Sequence, residues 1–276
     1  MVTQEQRKRQ LAREKFLRQQ QRRTTARRKA RMRNSVIASV LGVIVIGSVL
    51  LYTTDAFKGK DDKSKASADV TPSASPTKKA PDPCAKPAAG KIKTATWKKE
   101  PAVTIDKSAK YTMKLATTCG DIDIALKTSA APHTVNSFDF LAAKGYFDHT
   151  KCHRLTTTGI YVLQCGDPTG AGSGGPGYTI PDENLKDTSL KGGVYPAGTV
   201  AMANTGQKHT GGSQFFLVYK DSQLPASYTP FGTIDAAGMK VLDKIAAAGA
   251  QAADPTTGNT APNATVVINK ATVTKS

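Results

Sequence analysis

From Asn34 to Thr54 the chain carries no charged residue: NSVIASVLGVIVIGSVLLYTT. A bilayer core is about 30 Å thick and needs roughly 20 apolar residues of helix to cross it. The run fits that length and divides the chain into a part before it and a part after it. A cleaved signal peptide is the rival reading. Its apolar region would be about 7–15 residues long and would end at a small-residue cleavage site. Here the preceding basic region is far too long, and no clear A-x-A site follows. A single uncleaved span is expected over residues 35–54.

The charge pattern gives that span a direction. The formal net charge is +18, and residues 1–34 hold thirteen Lys and Arg against two acids, Glu5 and Glu14. Such an arm can bind phosphates of any sequence, but its place before an apolar run favours a topology signal. By the positive-inside rule the tail 1–34 stays cytoplasmic and everything after about residue 55 is exported. The tail can also touch anionic lipid. A nucleic-acid partner is not expected. The chain therefore reads as a single-pass cell-membrane protein with its folded domain outside the cytoplasm.

Residues 55–107 are rich in Lys, Asp, Ser, Ala and Pro, a linker composition that buries too little apolar surface to fold. The folded domain is expected over 108–276. YTMKLAT and DIDIAL alternate apolar and polar residues around TCG, which predicts a hairpin. TVNSFDFLAAKG has apolar residues at helical spacing and ends in Gly145. CHRLTT, IYVLQC, GTVAMAN, SQFFLVYK, YTPFGTI and TVVINKATVTK read as short strands, and AAGMKVLDKIAAAG as an amphipathic helix. Many short strands with two helices predict a mainly β fold, a closed antiparallel barrel capped at its ends.

Four cysteines, Cys84, Cys119, Cys152 and Cys165, fall in the exported part. An even count in an oxidising compartment suggests two disulfides, with three possible pairings. HTKCH puts His149, Cys152 and His153 close together, but that spacing matches no standard zinc pattern. GAGSGGPG lacks the Lys-Ser/Thr and the helix start of a phosphate-binding loop, and reads as a surface loop needing positive φ angles.

The motifs APHTVNSFDFL, CHRL, QCGDPTGAGSGGPGY, DEN, GTVAMAN, GGSQFF and PFGTI stand in the order and at about the spacing of the cyclophilin family. The stretch from about Tyr111 to Lys275 resembles that family of peptidyl-prolyl cis–trans isomerases, particularly its bacterial members. The resemblance implies an eight-stranded antiparallel β-barrel with two capping helices and a groove on its outside. It implies that Arg154 is the principal catalytic residue and that Gln164 and Asn204 hold the peptide backbone. It also implies a substrate wall of Tyr161, Val162, Ala203, Thr205, Gln214, Phe216, Leu224 and Tyr228. Cys152 stands where the family usually has Phe, and Cys165 where it has Gly. The loop LTTTGIYV is about two residues longer than its family counterpart, so Tyr161 and Val162 are placed across that insertion.

An X–Pro amide has a rotation barrier of about 18–20 kcal/mol and exchanges in tens to hundreds of seconds unaided. At the twisted transition state its nitrogen becomes pyramidal and a better acceptor. A fixed donor aimed there binds the twisted form more tightly than either planar form, which is catalysis. Arginine suits the role because it stays charged and presents a planar fork of donors. No metal or cofactor is expected, the partners expected are proline-containing polypeptides, and a monomer is expected. The alternative is a non-catalytic proline-peptide scaffold or holdase on the same groove. Cys152 and Cys165 lie on short strands joined by a tight connection, where an antiparallel pair could bring them opposite each other. A Cys152–Cys165 bond is therefore expected, leaving Cys84–Cys119. His153 is expected to be a structural histidine, hydrogen-bonded inside the fold.

Overall fold

The computed structural model describes residues 81–255 and 258–276. The basic tail, the proposed span and the first part of the proposed linker lie outside the described residues. Among the described residues no helix is long and apolar enough to cross a membrane.

The order of elements begins with the predicted hairpin. Strand β1 (Tyr111–Thr117) and strand β2 (Gly120–Leu126) alternate buried and exposed positions, so Met113, Leu115, Ile122 and Ile124 all face the core. Their register runs from Tyr111 opposite Leu126 to Thr117 opposite Gly120. Gly120, at φ 134°, is where the turn needs a residue without a side chain. β11 (Val267–Lys275) pairs on the other side of β1 and keeps Lys270 and Lys275 exposed.

Helix α1 (Pro132–Ala143) starts with proline at its first turn, where the missing N–H costs nothing. Ala131 supplies no side-chain cap. Glu183 does so from a distant loop, its carboxylate accepting from the backbone N–H of His133 at 3.0 Å and of Thr134 at 2.9 Å. The helix ends in a Schellman motif: Gly145 at φ 65° donates to the Ala142 carbonyl, and Tyr146 N donates to the Leu141 carbonyl. Helix α2 (Ala236–Ala247) is capped by Asp235, which accepts from Gly238 N at 2.7 Å. α1 packs on β11, and α2 packs on β2.

The remaining strands are short: β3 (Thr150–Lys151), β4 (Arg154–Leu155), β5 (Val162–Cys165), β6 (Val194–Tyr195), β7 (Thr199–Met202), β8 (Phe215–Val218), β9 (Ser222–Gln223) and β10 (Pro230–Ile234). Nine of the strands form one curled antiparallel sheet in the order β3-β11-β1-β2-β10-β7-β8-β5-β4, and β6 and β9 form a separate ribbon. The expectation of a closed eight-stranded barrel holds only in part: the strands form a curled sheet with two helices, but among the described residues nine strands make it up and no ladder joins its edges β3 and β4. The stretch 150–155 supplies both edges of the sheet, and Cys152 and His153 interrupt it. Lys151 pairs with β11 on one side, and Arg154 pairs with β5 on the other.

The core is built around Phe138 of α1. Its ring centroid lies 5.3 Å from Phe147, 5.4 Å from Phe215 and 4.5 Å from Phe231. Both expected disulfides are present, Cys84–Cys119 and Cys152–Cys165. Residues 81–107, read from composition as the end of a linker, contain no helix or strand yet are pinned to the domain at several points. Ala88 N donates to Asn269 Oδ1 at 3.0 Å, and Thr104 N to Asn136 Oδ1 at 2.9 Å. The Trp97 ring packs edge-on to Phe140 with centroids 5.1 Å apart. One large ring and a disulfide hold a segment whose average composition looks disordered.

Phe138→Ala removes the ring at the centre of this cluster. It is expected to cost about 3–5 kcal/mol and to lower the thermal midpoint by roughly 10 °C. Thermal unfolding of the variant beside wild type measures it.

Candidate active site

Arg154 sits on an edge strand, directly opposite Gln164 in the β4–β5 register. Gln164 is in turn opposite Phe216 of β8, and Phe216 is opposite Ala201 of β7. Antiparallel pairing thus sets three side chains in a row on one face. Hydrogen bonds lock the row. Arg154 Nη1 donates to Gln164 Oε1 at 3.1 Å, Gln164 Nε2 donates to Gln214 Oε1 at 2.9 Å, and Gln214 Nε2 donates to the Gly174 carbonyl at 2.9 Å. The direction of this chain is dictated at both ends: a guanidinium can only donate, and a backbone carbonyl can only accept. Both amides therefore have one possible orientation. The guanidinium is half-buried, and among the described residues no carboxylate pairs with it.

Beside the guanidinium lies a pocket of about 110 Å³ lined by Arg154, Ile160, Val162, Gln164, Ala203, Asn204, Phe216, Leu224 and Tyr228. Its floor is apolar. The rings of Phe216 and Tyr228 meet edge to face at 5.4 Å. Buried Tyr195 donates from its hydroxyl to the Tyr228 carbonyl at 2.8 Å and so fixes the far wall. A second, larger groove of about 890 Å³ shares Gln164, Ala203 and Asn204 with this pocket. It adds Thr205, Thr210, Gln214, the glycine-rich loop and residues Lys98, Lys99 and Glu100. Asn204 is itself tied down: its Nδ2 donates to the Ser227 carbonyl at 2.8 Å, and its Oδ1 accepts from Gly206 N at 2.9 Å.

Of the residues expected here, Tyr161 alone is displaced. Its ring packs edge-on against Tyr219 at 5.9 Å and lies under the Lys220 ammonium at 4.7 Å, outside the pocket. The reason is strand alternation. Counting back from Gln164 by twos gives Val162 and Ile160, which are the residues on the pocket side. Leu163 and Cys165 point into the main core. Ile160 is the residue that the motif comparison missed and the period of two would have found.

His153 also differs from expectation. It is buried, but neither ring nitrogen has a hydrogen-bond partner among the described residues. Burial lowers its pKa first; Asp167 pulls the other way, while Arg154 and Lys151 add to the lowering. The ring is buried away from the groove and lines neither it nor the pocket beside Arg154. The Cys152–Cys165 bond ties the residue before His153 to the residue after Gln164, immediately behind the Arg154–Gln164 pair.

The glycine-rich loop is shaped by Asp167. Its fully buried carboxylate accepts from Thr169 N at 2.7 Å, Gly172 N at 2.6 Å and Gly174 N at 3.1 Å. Gly170 and Gly172 adopt φ 65° and 86°, as the sequence predicts for this loop. Burial alone would raise the carboxyl pKa, but the bonds from Gly174, Thr169 and Gly172 outweigh it and hold the pKa below the usual value.

With this geometry in place, the family is plain. Residues 112–273 match the model for the cyclophilin type peptidyl-prolyl cis-trans isomerase, and the chain belongs to that family. It is 50% identical over 179 residues to a probable peptidyl-prolyl cis-trans isomerase B of Mycobacterium leprae, covering 62% of this chain and 56% of that protein. It is likewise 50% identical over 149 residues to one of Mycobacterium tuberculosis, covering 51% of this chain and 48% of that protein. A peptidyl-prolyl cis-trans isomerase of Helicobacter pylori is 38% identical over 156 residues, covering 56% of this chain and 88% of that protein. The chain thus spans about half the length of the two mycobacterial relatives.

Asp167→Asn keeps the size but places an amide donor against backbone donors. It is expected to cost about 1–3 kcal/mol at pH 7. A carboxylate with a depressed folded pKa contributes stability above its unfolded pKa of about 3.9 and loses it as pH falls through the lower folded value. The gap between wild type and variant should therefore be full at pH 7 and shrink toward pH 3. Urea melts at the two pH values measure it.

Proposed function

We propose that the chain is a peptidyl-prolyl cis–trans isomerase acting on flexible, proline-containing polypeptides outside the cytoplasm. The observation that carries this reading is the Arg154 guanidinium, fixed by a hydrogen-bond chain at the rim of an apolar pocket and, among the described residues, free of any carboxylate partner. The pocket formed by Val162, Phe216, Leu224, Tyr228 and Ile160 takes the proline ring. Gln164 and the backbone around Ala203 and Asn204 hold the neighbouring peptide while one side of the bond rotates. Arg154 donates to the pyramidal nitrogen of the half-rotated amide and favours it over both planar forms.

The surroundings support the reading in two ways. Two disulfides among the described residues suit an oxidising compartment. The uncharged run over 35–54, behind a cationic tail, suits a membrane anchor that keeps the domain near emerging polypeptides. Anionic lipid is the partner proposed for that tail.

Removing one preorganised charged donor typically costs about 10²- to 10³-fold in rate. Arg154→Ala should lower kcat/KM in a protease-coupled proline-peptide assay by that factor while peptide binding persists. A wild-type chain no faster than buffer that still binds the peptide would make this a proline-peptide-binding module instead. The anchor makes a separate expectation. The full chain should stay with membranes through high-pH carbonate extraction, and recovery in the supernatant would count against a span.

A further inference from the structure

The larger groove has a wall that the family match does not include. Residues 97–100 precede the matched stretch 112–273, yet Lys98, Lys99 and Glu100 line the groove together with Asn204, Thr205 and Gln214. The backbone there is fixed. Trp97 N donates to the Pro176 carbonyl at 2.8 Å. The Trp97 ring lies against Phe140 and Tyr146, with centroids 5.1 and 5.9 Å away. Gly177, at φ 85°, lies so close that a Cβ there would stand 2.9 Å from Thr96 Cβ and from the Trp97 carbonyl. The strap and the glycine loop are thus fitted to each other.

The charges on this wall are unbalanced. Among the described residues the only charged side chains lining the groove are Lys98, Lys99 and Glu100. Glu100 is already engaged, its Oε1 lying 2.6 Å from His133 Nδ1. Lys98 and Lys99 are exposed and have no ion-pair or hydrogen-bond partner among the described residues. Two unpaired ammonium groups therefore flank a groove whose one carboxylate, Glu100, is held by His133 and whose remaining lining is uncharged. The groove joins the pocket beside Arg154 through Gln164, Ala203 and Asn204.

We infer that Lys98 and Lys99 make this groove a subsite for acidic side chains, so that the protein favours X–Pro bonds with Asp or Glu in the flanking peptide. The inference rests on the isomerase reading and adds a substrate class to it. Exposed ion pairs are individually weak, so the preference expected is about three- to tenfold in kcat/KM. It should lie in KM, since the contact is the same in ground and transition states. It should also collapse at 1 M salt, where the screening length is about 3 Å.

The test uses the full chain in detergent and three X–Pro peptides that differ only in an acidic, neutral or basic flank. Wild type is compared with the double variant K98Q/K99Q. A second double variant, K240Q/K244Q, makes the same charge change on helix α2, which lines no part of the groove. The inference stands if the acidic-over-neutral ratio is about three to ten in wild type and in K240Q/K244Q but near one in K98Q/K99Q. It falls if the wild-type ratio is near one, or if both variants lose the preference equally. Failure to accelerate any peptide would sink the isomerase reading, and equilibrium binding of the same peptides would then decide the subsite. Acidic preference lost only in K98Q/K99Q would sustain it, and equal binding of all three peptides would overturn it.

Discussion

A single line of hydrogen bonds, from the Gly174 carbonyl through Gln214 and Gln164 to Arg154, sets the geometry of the groove. Each link has only one possible direction, because its ends are an obligate acceptor and an obligate donor. The sheet exists in service of this line. β4, β5 and β8 place Arg154, Gln164 and Phe216 in register, and the Asp167 carboxylate holds the loop that presents the Gly174 carbonyl. A guanidinium in an otherwise strand-forming segment is tolerated because that strand is an edge. Its head can reach the groove without being buried unpaired.

Much of this was legible in the sequence, for definite reasons. The hairpin, both helices and the Gly145 stop follow from apolar periodicity and from capping chemistry that acts locally. The role of Glu183 does not, because the helix it caps lies some fifty residues earlier and only the fold brings the two together. The pattern of CHRLTT starts a strand at Cys152, whereas Cys152 and His153 form the gap between β3 and β4. Tyr161 was misplaced because motif alignment crossed an insertion, whereas strand alternation from Gln164 leads straight to Ile160. The lone ring nitrogens of His153 could not be foreseen, since burial of a histidine ordinarily comes with a partner.

The segment 81–107 shows how composition can mislead. Its average is that of a linker, and nothing in it is periodic. Yet Cys84, Trp97 and a few backbone bonds attach it to the domain, and it supplies one wall of the groove. The family match, which begins at residue 112, describes the pocket and the guanidinium. The strap lies outside that match, so the family model gives no account of what it adds to substrate choice.

The central claim is that the planar fork of Arg154, and not merely positive charge, stabilises the twisted amide. Arg154→Lys keeps the charge and removes the fork. The decisive measurement is NMR exchange spectroscopy of an X–Pro peptide bound to this variant, reading the cis–trans exchange rate on the protein together with Kd. The account expects exchange at least tenfold slower than on wild type with Kd changed by less than about twofold. Undiminished exchange on the lysine variant would contradict it.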